Sequence, residues 1–543
     1  MRRTLALLGL ALGPVLVLGV FFVLPVAGMV ARGFWPDGAF DPGGVLEVLA
    51  RPRTGRVVWF TLWSSAVATV VSVLLGLPAA YALHRLDLPL RRVVRAALLV
   101  PFVLPTVVVG VAFRELLGEA GPLGGLGLDG TPVAIVAGLA FFNVAVVVRS
   151  VGAAWEGLDP RPAEAAAALG ASPAQVLRTV TLPALRPAIV SAASVVFLFC
   201  ATSFGVVLTL GGLRYASVET EIYLLTTNLL DLQAAAALSV VQLVAITALL
   251  ALAARLRTVP DPAVARRTSR PRAVRRSDWP QVTATLLLLV LVAAPLVTLV
   301  VGSLRVGDAW SLGNYRALQT TGEGALLVPV TEALVTSLRT AVDATWMALL
   351  LGLVVAVVVT RRSRTPGERR VRSVLDGFFM LPLGVSAVTL GFGFLITLDR
   401  PPLDLRDSAL LVPVAQALVA LPLVVRTIVP VLAGIDDRQR QAAASLGAGG
   451  LRTLATVDLP VVWRPLLAAA GFAFAASLGE FGATAFLARE DRATVPVVIF
   501  RLIGSPGAMG YGMALAASVV LATTTAVVML AVERLRVPSL GAF

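Results

Sequence analysis

Few residues in this 543-residue chain could carry out chemistry. It has one histidine, His84, one cysteine, Cys200, and no lysine, so all 45 basic residues are arginines. A single histidine and a single cysteine cannot form a metal site of the usual spacings or an internal disulfide. A Walker A loop needs a lysine to reach nucleotide phosphates, so the chain lacks an ordinary ATP-hydrolysing loop. We therefore expect no catalytic residue, no metal site and no bound cofactor, with structural roles for His84 and Cys200.

Among the acidic residues, Glu480 has the strongest case for a function. It lies within an apolar stretch, and a carboxylate inside a membrane normally faces a cavity or a partner because its desolvation is costly. A structural hydrogen bond between helices is an equally good explanation of the same residue. Glu219 and Glu221 lie outside the apolar stretches, where they would contact another protein or remain solvated.

The elements that must position these residues are membrane helices. The chain is 58% hydrophobic and 14% charged, which is too few polar residues to cover a soluble protein of this length. A helix that crosses a bilayer needs about 20 mostly apolar residues. We therefore predict an all-α polytopic membrane protein with twelve transmembrane helices. The twelve stretches are residues 5–31, 58–83, 94–113, 132–148, 188–210, 234–254, 281–302, 334–360, 374–397, 408–425, 465–488 and 509–532.

The arginines are unevenly distributed between alternate connections. With the N-terminus inside, the inner segments hold 31 arginines and the outer loops hold 13, and the remaining one, Arg339, lies near the outer end of a predicted span. Short arginine-rich loops stay on the cytoplasmic side, so we predict that both termini are cytoplasmic. The outer loop 32–57 is the exception, because it carries Arg51, Arg53 and Arg56. The net charge of +14 is explained by topology, and we expect no nucleic acid partner because the arginines form no single basic face.

An arginine-rich and proline-rich segment divides the apolar stretches into six and six. This segment, residues 257–280, is interpreted as a cytoplasmic linker. It separates a first half, residues 1–256, from a second half, residues 281–543. A tract that binds nucleic acid is the alternative interpretation, but control of membrane orientation explains its arginines without a further function.

The two halves contain copies of one sequence. GLDPRPAEAAAALGASPAQVLRTVTLP, residues 157–183, aligns without gaps with GIDDRQRQAAASLGAGGLRTLATVDLP, residues 434–460, and 14 of 27 positions are identical. We name these segments the first and second repeated loops. With six spans in each copy, the repeat is parallel. Further matches are Ser203, Phe204 and Gly205 with Glu480, Phe481 and Gly482, Ile222 and Tyr223 with Ile499 and Phe500, and Pro101 and Gly110 with Pro382 and Gly391.

Each repeated loop is predicted to form two short helices. In the first loop, Asp159 can cap a helix and Gly170 can end it in a left-handed conformation. Ser172 then begins a second short helix, which we expect to finish before Leu182 and Pro183 because proline disrupts a helix. The small alanine side chains would let the backbone of another protein approach closely.

The repeated loops resemble the EAA loop of permease subunits in binding-protein-dependent ABC importers. The first loop carries the full pattern, and the second has glutamine in place of the glutamate. The glutamine removes the charge, although its amide still forms hydrogen bonds. The alternative is that an alanine-rich loop matches the pattern by chance, but the occurrence of the pattern in both halves argues against this. The matching residues are Glu164, Ala165, Ala166, Gly170, Val180, Leu182 and Pro183, and in the second loop Gln441, Ala442, Ala443, Gly447, Val457, Leu459 and Pro460.

This resemblance implies a type I importer permease fold made of two parallel six-helix repeats, and a transport subunit that is not an enzyme. Each repeated loop would dock on an ATPase subunit, so the chain would bind two copies of an ABC ATPase, which use ATP and Mg. An extracytoplasmic solute-binding protein would deliver the solute to the bacterial inner membrane. Residues 197–223 and 477–504 resemble fused thiamine permeases and, less closely, fused ferric-iron permeases. Thiamine is therefore the expected solute, and ferric iron is the alternative.

If the chain is such a permease, we expect its substrate pathway to pass the segment that contains Glu480 and the equivalent segment of the first half. Thiamine carries an aromatic cation, which aromatic faces and a carboxylate can stabilise. The candidates are Ser203, Phe204, Glu480, Phe481 and Tyr223, and Tyr223 could instead be a membrane-interface anchor. An ion-coupled secondary transporter is a further alternative, but few acidic residues lie in the predicted spans. An integral membrane enzyme would need a cluster of histidine and acidic residues that the sequence lacks.

Overall fold

The structure is a computed structural model that describes residues 2–36, 38–212, 214–256, 271–321, 328–361, 365–399, 403–505 and 507–534. Most of the predicted linker, residues 257–270, lies outside the described residues. The helical architecture predicted from the sequence is confirmed, since the described strands are only Arg305–Val306 and Ala309–Trp310. These two strands pair antiparallel as a short hairpin.

Ten helices in the described ranges are long and apolar enough to cross a membrane. Their lengths, from 21 to 34 residues, fit a bilayer that needs about 20 apolar residues. Each of them overlaps a predicted span. They are Gly9–Phe34, Pro52–Arg85, Pro132–Glu156, Pro173–Ala201, Leu232–Leu252, Arg276–Ser303, Val330–Thr360, Leu411–Ala433, Gly450–Leu478 and Ala508–Ala531.

The third and ninth predicted spans are broken. The third consists of the helices Arg91–Val103 and Thr106–Leu117, which are bent by 103° at the break and together count as an eleventh candidate span. Leu104 is extended there, with ψ of 141°, because the proline that follows it disfavours a helical conformation. The ninth consists of Pro366–Met380, a 3₁₀ turn Leu381–Gly384 and Ala387–Thr397.

The fifth and eleventh predicted spans end earlier than their hydrophobicity indicates. Their helices finish at Ala201 and Leu478, and short helices follow each break. The breaks coincide with the repeated sequences Ser203 to Gly205 and Glu480 to Gly482. Hydrophobicity alone does not detect them, because the residues on both sides are apolar. The following helices are Gly205–Gly211 and Val218–Thr227 in the first half, and Thr484–Leu487 and Val495–Gly504 in the second.

The remaining elements are short. Two α-helices, Pro42–Ala50 and Gly313–Ala317, lie outside the spans and the repeated loops. Three 3₁₀ helices are Gly124–Leu126, Arg276–Asp278 and Glu490–Arg492, and a π turn, Gly19–Val23, lies within the first spanning helix.

The chain divides into two compact units. Unit 1 comprises Met1–Leu49, Ile222–Leu243 and Leu312–Phe543, and unit 2 comprises Ala50–Glu221 and Val244–Ser311. Each unit therefore takes segments from both sequence halves. The first spanning helix of the first half, Gly9–Phe34, belongs to unit 1, which is built mainly from the second half. The first spanning helix of the second half, Arg276–Ser303, belongs to unit 2, which is built mainly from the first half. The boundaries 1–256, 257–280 and 281–543 describe the sequence repeat, and as domains they stay a prediction.

Both units contain the same kind of helix pair. In unit 2, Pro52–Arg85 packs along Pro132–Glu156, and in unit 1, Val330–Thr360 packs along Leu411–Ala433. Small residues line these faces, so the helix backbones approach closely, which is how membrane helices gain packing energy. A Cβ atom at Gly76 would lie 2.7 Å from Val147, and one at Gly352 would lie 2.5 Å from Val424.

Candidate functional site: the two repeated loops

The first repeated loop begins with the helix predicted from its sequence. Asp159 caps the helix Arg161–Ala168, since its Oδ1 accepts a hydrogen bond from the Arg161 backbone N–H at 3.0 Å. Gly170 ends the helix with a φ of +88°. Its N–H donates to the Ala167 carbonyl at 3.0 Å, and the next N–H donates to Ala166 at 3.1 Å. This pair of bonds is a Schellman closure, which requires the left-handed conformation that glycine adopts without strain.

The second repeated loop has the same construction. Asp436 accepts a hydrogen bond from the Arg438 backbone N–H at 2.9 Å and caps the helix Asp437–Ser445. Gly447 ends this helix with a φ of +83° and donates to the Ala444 carbonyl at 3.0 Å. The two loops therefore share one backbone design, although their side chains differ at 13 of 27 positions.

The second helix of each loop is longer than the sequence indicates. Ser172 forms a capping box with Gln175 and begins the helix Pro173–Val176, as predicted. This helix does not finish before Leu182 and Pro183, so that prediction was wrong. It continues through a π turn, Leu177–Thr181, into the helix Leu182–Ala201. The π turn changes the hydrogen-bond register by one residue and places Pro183 at the start of the next segment, where proline is tolerated.

The same continuation occurs in the second loop. There the helix Gly450–Thr453 passes through the π turn Leu454–Asp458 into Leu459–Leu478. The second helix of each loop is consequently the direct extension of a spanning helix.

The motif residues lie on the surface of the described structure. Glu164, Ala165 and Pro183 are exposed, as are Gln441, Ala442, Leu459 and Pro460, while Ala166, Leu182 and Ala443 are half-buried. Two apolar residues that the sequence analysis did not single out are the most exposed of all. Leu169 is 89% exposed and Leu446 is 87% exposed. Each directly precedes the glycine that ends its helix, and this recurrence in both copies is a signal that could have identified them.

A network of charged side chains holds the base of the first loop. Glu156 directly precedes this loop, and its Oε1 lies 2.9 Å from both His84 Nδ1 and Arg95 Nη2. Arg95 also donates from Nε to the Leu83 carbonyl at 3.0 Å, near the end of the helix Pro52–Arg85. Glu156 thereby joins the ends of the helices Pro52–Arg85 and Pro132–Glu156 to the first turns of the helix Arg91–Val103. His84 is buried there, and Cys200 is also buried, so the structural roles expected for both agree with their positions.

The base of the second loop is held by a different acidic residue. Asp458 lies in the π turn and is 1% exposed. Its Oδ2 accepts from Arg361 Nη2 at 2.9 Å, and its Oδ1 accepts from Arg440 Nε at 2.8 Å. Arg440 also donates to the Leu432 carbonyl at 2.9 Å. One buried carboxylate thus joins the loop helix to two spanning helices, since buried charges are stable only when paired.

The end of the predicted linker is fixed to unit 2. Arg272 forms a parallel β-bridge with Leu86, and its guanidinium donates to both oxygens of Asp278 at 2.7 and 2.8 Å. The Tyr81 hydroxyl donates to Asp278 at 2.8 Å and accepts from Arg272 at 2.7 Å. The hydrogen bond to Asp278 raises the pKa of Arg272 above its ordinary value. This part of the linker is therefore docked against the helix Pro52–Arg85.

Four of the five predicted pathway residues are buried, and Tyr223 is half-buried. Glu480 accepts hydrogen bonds from the backbone N–H groups of Ala483 at 2.7 Å and Thr484 at 3.1 Å, so it caps the short helix Thr484–Leu487. Phe481 is 2% exposed, and its ring centroid lies 5.5 Å from that of Phe500. Ser203 and Phe204, at the equivalent break of the first half, are also buried.

Tyr223 joins the aromatic residues of unit 1. Its ring centroid lies 5.4 Å from that of Phe486 and 6.4 Å from that of Phe500, in both cases edge to face. Since Phe500 also contacts Phe481, four aromatic rings form one cluster in this unit. The structure brings together Tyr223 and Phe481, while Ser203 and Phe204 belong to unit 2.

Glycine permits a close approach at both breaks. A Cβ atom at Gly205 would lie 3.0 Å from the Val107 backbone nitrogen, and one at Gly482 would lie 3.2 Å from that of Val388. The breaks therefore pack directly against the helices Thr106–Leu117 and Ala387–Thr397, which are the second segments of the broken third and ninth predicted spans. This contact explains why glycine occurs at the same position in both copies.

Glu219 and Glu221 are not solvated. Glu219 is fully buried and Glu221 is 3% exposed, so the expectation of exposed loop residues was wrong. Both oxygens of Glu221 accept hydrogen bonds from Arg53, at 2.6 and 2.9 Å. Glu221 is buried and Arg53 is 48% exposed, and this ion pair explains why the predicted outer loop contains an arginine that the charge rule does not predict.

Within the described residues, no group of three or more histidine, cysteine and acidic side chains could hold a metal ion. Each repeated loop offers an exposed leucine, a short alanine-rich helix and a second helix that continues into a spanning helix.

Comparisons with known proteins agree with this arrangement. The sequence model of the family described as binding-protein-dependent transport system inner membrane component matches residues 72–266 and 348–536. The thiamine transport system permease protein ThiP of Brucella abortus (strain 2308) is 28% identical over 517 residues, which cover 89% of this chain and 90% of that protein. ThiP of Escherichia coli K12 is 28% identical over 471 residues, covering 83% of this chain and 84% of that protein.

A shorter relative matches part of the chain. The molybdenum transport system permease protein ModB of Mycobacterium bovis is 32% identical over 248 residues, which cover 44% of this chain but 90% of that protein. ModB therefore matches a part of this chain that is about the size of one of its two repeats.

Proposed function

Since the chain belongs to the family of inner membrane components of binding-protein-dependent transport systems, we propose that it moves thiamine across a bacterial inner membrane. It is an ABC importer permease with two fused copies of the family domain. The full-length similarity to the thiamine permeases, which covers 89% of this chain, carries the proposal for the solute. Single-repeat relatives such as ModB match less than half of the chain.

The energy for transport comes from two copies of a separate ABC ATPase, one docked on each repeated loop. This proposal is supported by the shared backbone of the two loops and by Leu169 and Leu446, which are almost fully exposed. An exposed leucine of this kind fits an apolar pocket on a partner, and its burial would stabilise the contact by about 1.5 to 3 kcal/mol. The loops and both termini would lie in the cytoplasm, as the arginine distribution indicates.

On the opposite side of the membrane, a solute-binding protein would deliver thiamine. The pathway is proposed to pass Ser203, Phe204, Tyr223, Glu480 and Phe481. The aromatic cluster of unit 1 supports this proposal, because aromatic faces attract organic cations, by about 0.5 to 2 kcal/mol for each contact.

The test is reconstitution of the chain with its ATPase and binding protein in lipid vesicles. We expect uptake of labelled thiamine that requires both partners and ATP. Ferric iron and molybdate, each with its own labelled form, serve as the alternative solutes in parallel vesicles. Uptake by the permease alone, driven by an ion gradient, would show that it is a secondary transporter, and uptake of ferric iron in place of thiamine would overturn the solute assignment.

A further inference from the structure

One hydrogen bond between a long spanning helix and a short helix after a break recurs in both repeats. The Thr61 hydroxyl accepts from the Val218 N–H at 3.0 Å, and the Ser337 hydroxyl accepts from the Val495 N–H at 2.8 Å. The acceptors lie 276 residues apart and the donors 277, so the two bonds are equivalent. The residue type differs, and only the hydroxyl is retained. We call Pro52–Arg85 and Val330–Thr360 the long helices, and Val218–Thr227 and Val495–Gly504 the cluster helices.

Each hydroxyl satisfies a backbone N–H at the start of a cluster helix. The first N–H groups of a helix have no partner within the helix. In the second repeat, Thr494 directly precedes the cluster helix and its side chain forms no cap, so the acceptor comes from the long helix instead. Thr61 and Ser337 are 7% and 2% exposed, and an N–H left unpaired in such surroundings is costly. The bond therefore ties the start of each cluster helix to a long helix.

The opposite end of each long helix is joined to a repeated loop. In the first repeat, His84 Nδ1 lies 2.9 Å from Oε1 of Glu156, which directly precedes the loop. In the second repeat, Arg361 directly follows the long helix and donates at 2.9 Å to Asp458 in the π turn of the loop. The side chains at this end differ between the repeats, but the connection is the same. Each long helix thus contacts a loop at one end and a cluster helix towards the other.

The long helices are suited to transmit movement between these two contacts. The contacts on each helix are about 35 Å apart along its axis, at a rise of 1.5 Å per residue, which exceeds the roughly 30 Å of a hydrocarbon core. Both helices are continuous, the first through Pro78. Close packing at Gly76 and Gly352 holds each against a neighbouring helix of its own unit.

We propose that each long helix couples its repeated loop to its cluster helix, with Thr61 and Ser337 as positioning residues. A displacement at the base of the loop moves the long helix, and the hydroxyl carries that movement to the start of the cluster helix. The cluster helices hold Tyr223 and Phe500, whose ring centroids lie 6.4 Å apart, so the movement reaches the aromatic residues of the proposed solute pathway. This inference rests on the proposed coupling of the loops to an ATPase.

The test removes each hydroxyl without changing the loops. In the reconstituted complex, Thr61→Val and Ser337→Ala are each expected to lower the solute transported per ATP hydrolysed by roughly two- to tenfold, the range for loss of one hydrogen bond. Thr61→Ser and Ser337→Thr exchange the two residue types, keep the hydroxyl and should transport normally. Because the two bonds lie in different units, either repeat tests the inference if a variant of the other does not fold.

Thr69→Val is the matched control. Thr69 is buried on the first long helix, and its hydroxyl donates at 2.7 Å to the Ser65 carbonyl of the same helix. Its loss removes a buried hydroxyl but no contact with a cluster helix, so transport per ATP should stay normal. The amounts of folded monodisperse complex and of copurified ATPase are measured for every variant and should not change.

A second measurement requires no assumption about the solute. A fluorescent label on Asn228→Cys, an exposed position directly after the first cluster helix, reports movement there when ATP is added to the complex with the ATPase. Cys200 is the only natural cysteine and is buried, so the label is specific. We expect an ATP-dependent change in fluorescence that Thr61→Val reduces and Thr61→Ser preserves.

The outcomes separate this inference from the proposed function. If the signal depends on the hydroxyl but the vesicles transport no thiamine, the inference holds and only the solute assignment fails. If the wild-type chain binds no ATPase, the proposed function fails, and with it the source of the movement. If folded, ATPase-bound Thr61→Val and Ser337→Ala complexes keep normal transport per ATP, or if the exchanged variants lose as much as they do, the hydroxyls do not carry the movement and the inference is wrong.

Discussion

Gly170 and Gly447 close equivalent helices with nearly the same backbone angle, a φ of +88° in the first repeated loop and +83° in the second. No atom lies within 4 Å of a Cβ built on either residue. Space therefore does not require glycine at these positions, and the left-handed conformation does. A β-branched residue is strained in this conformation and would move the helix end and, with it, the exposed leucine that precedes each glycine.

We predict that Gly170→Val and Gly447→Val uncouple ATP hydrolysis from uptake. A β-branched residue in this conformation costs roughly 1 to 2 kcal/mol, so the closure of the helix is lost. Transport per ATP should fall in each single variant and further in the double variant. Gly449→Ala is the matched control, because Gly449 lies in the same loop with a φ of −70° and open space around it. An equal loss in that control would contradict the conformational explanation.

The exposed leucines give a second prediction. Leu169→Ser and Leu446→Ser should weaken ATPase binding on the order of tenfold each, because each removes an apolar anchor from the proposed interface. The thermal stability of the chain itself should not change, since both side chains are exposed in the free protein. Leu126→Ser is the control, because Leu126 is 62% exposed in a turn outside the repeated loops. Unchanged copurification of the ATPase with both loop variants would exclude these leucines from the interface.

The docked end of the linker gives a third prediction. Asp278→Asn should lower the free energy of unfolding by about 1 to 3 kcal/mol, because Asp278 is buried and loses charged hydrogen bonds, while Arg272 is 37% exposed and its charge is partly screened by solvent. The change is measured by thermal unfolding in detergent and by the rate of proteolysis near residue 272. Arg276→Gln is the control, since Arg276 is exposed on the same segment. Equal stability of Asp278→Asn and the control would show that the linker is not fixed by this pair.

Local signals explain how much of the site could be predicted from the sequence. Asp159, Gly170 and Ser172 act within a few residues of their own positions, and each was predicted correctly from cap and turn preferences. The alternation of apolar stretches and arginine-rich connections predicted the helices of the fold. The π turns were missed, because a proline in the sequence indicates a helix end and does not show that the hydrogen-bond register can change instead.

Contacts between distant positions could not be predicted in this way. Arg361 and Asp458 are 97 residues apart, and Arg53 and Glu221 are 168 residues apart. Their pairing depends on which helices pack together, which hydrophobic periodicity does not determine. The broken third span was also missed, because Leu104 and Pro105 are apolar and leave the hydrophobicity of the stretch unchanged.

The fourth prediction concerns Glu480, whose carboxylate caps a helix in unit 1 and is also proposed to line the substrate pathway. Glu480→Gln removes the charge but keeps one oxygen that can accept a backbone hydrogen bond. If the residue acts only as a cap, the variant should lose about 1 kcal/mol of stability and transport at close to the normal rate. If its charge attracts the organic cation, thiamine uptake should fall by roughly tenfold or more while the complex remains folded.

The aromatic cluster supplies the comparison for Glu480. Phe481→Leu keeps an apolar side chain at the neighbouring position but removes the aromatic face, so it should reduce uptake without changing the cap. Phe392→Leu is the matched control, because Phe392 is fully buried in the same unit and lies outside the cluster. Measurement of initial uptake rates at several thiamine concentrations, with ATP hydrolysis in the same vesicles, distinguishes a loss of solute recognition from a loss of coupling. Normal uptake by both Glu480→Gln and Phe481→Leu would place the pathway elsewhere.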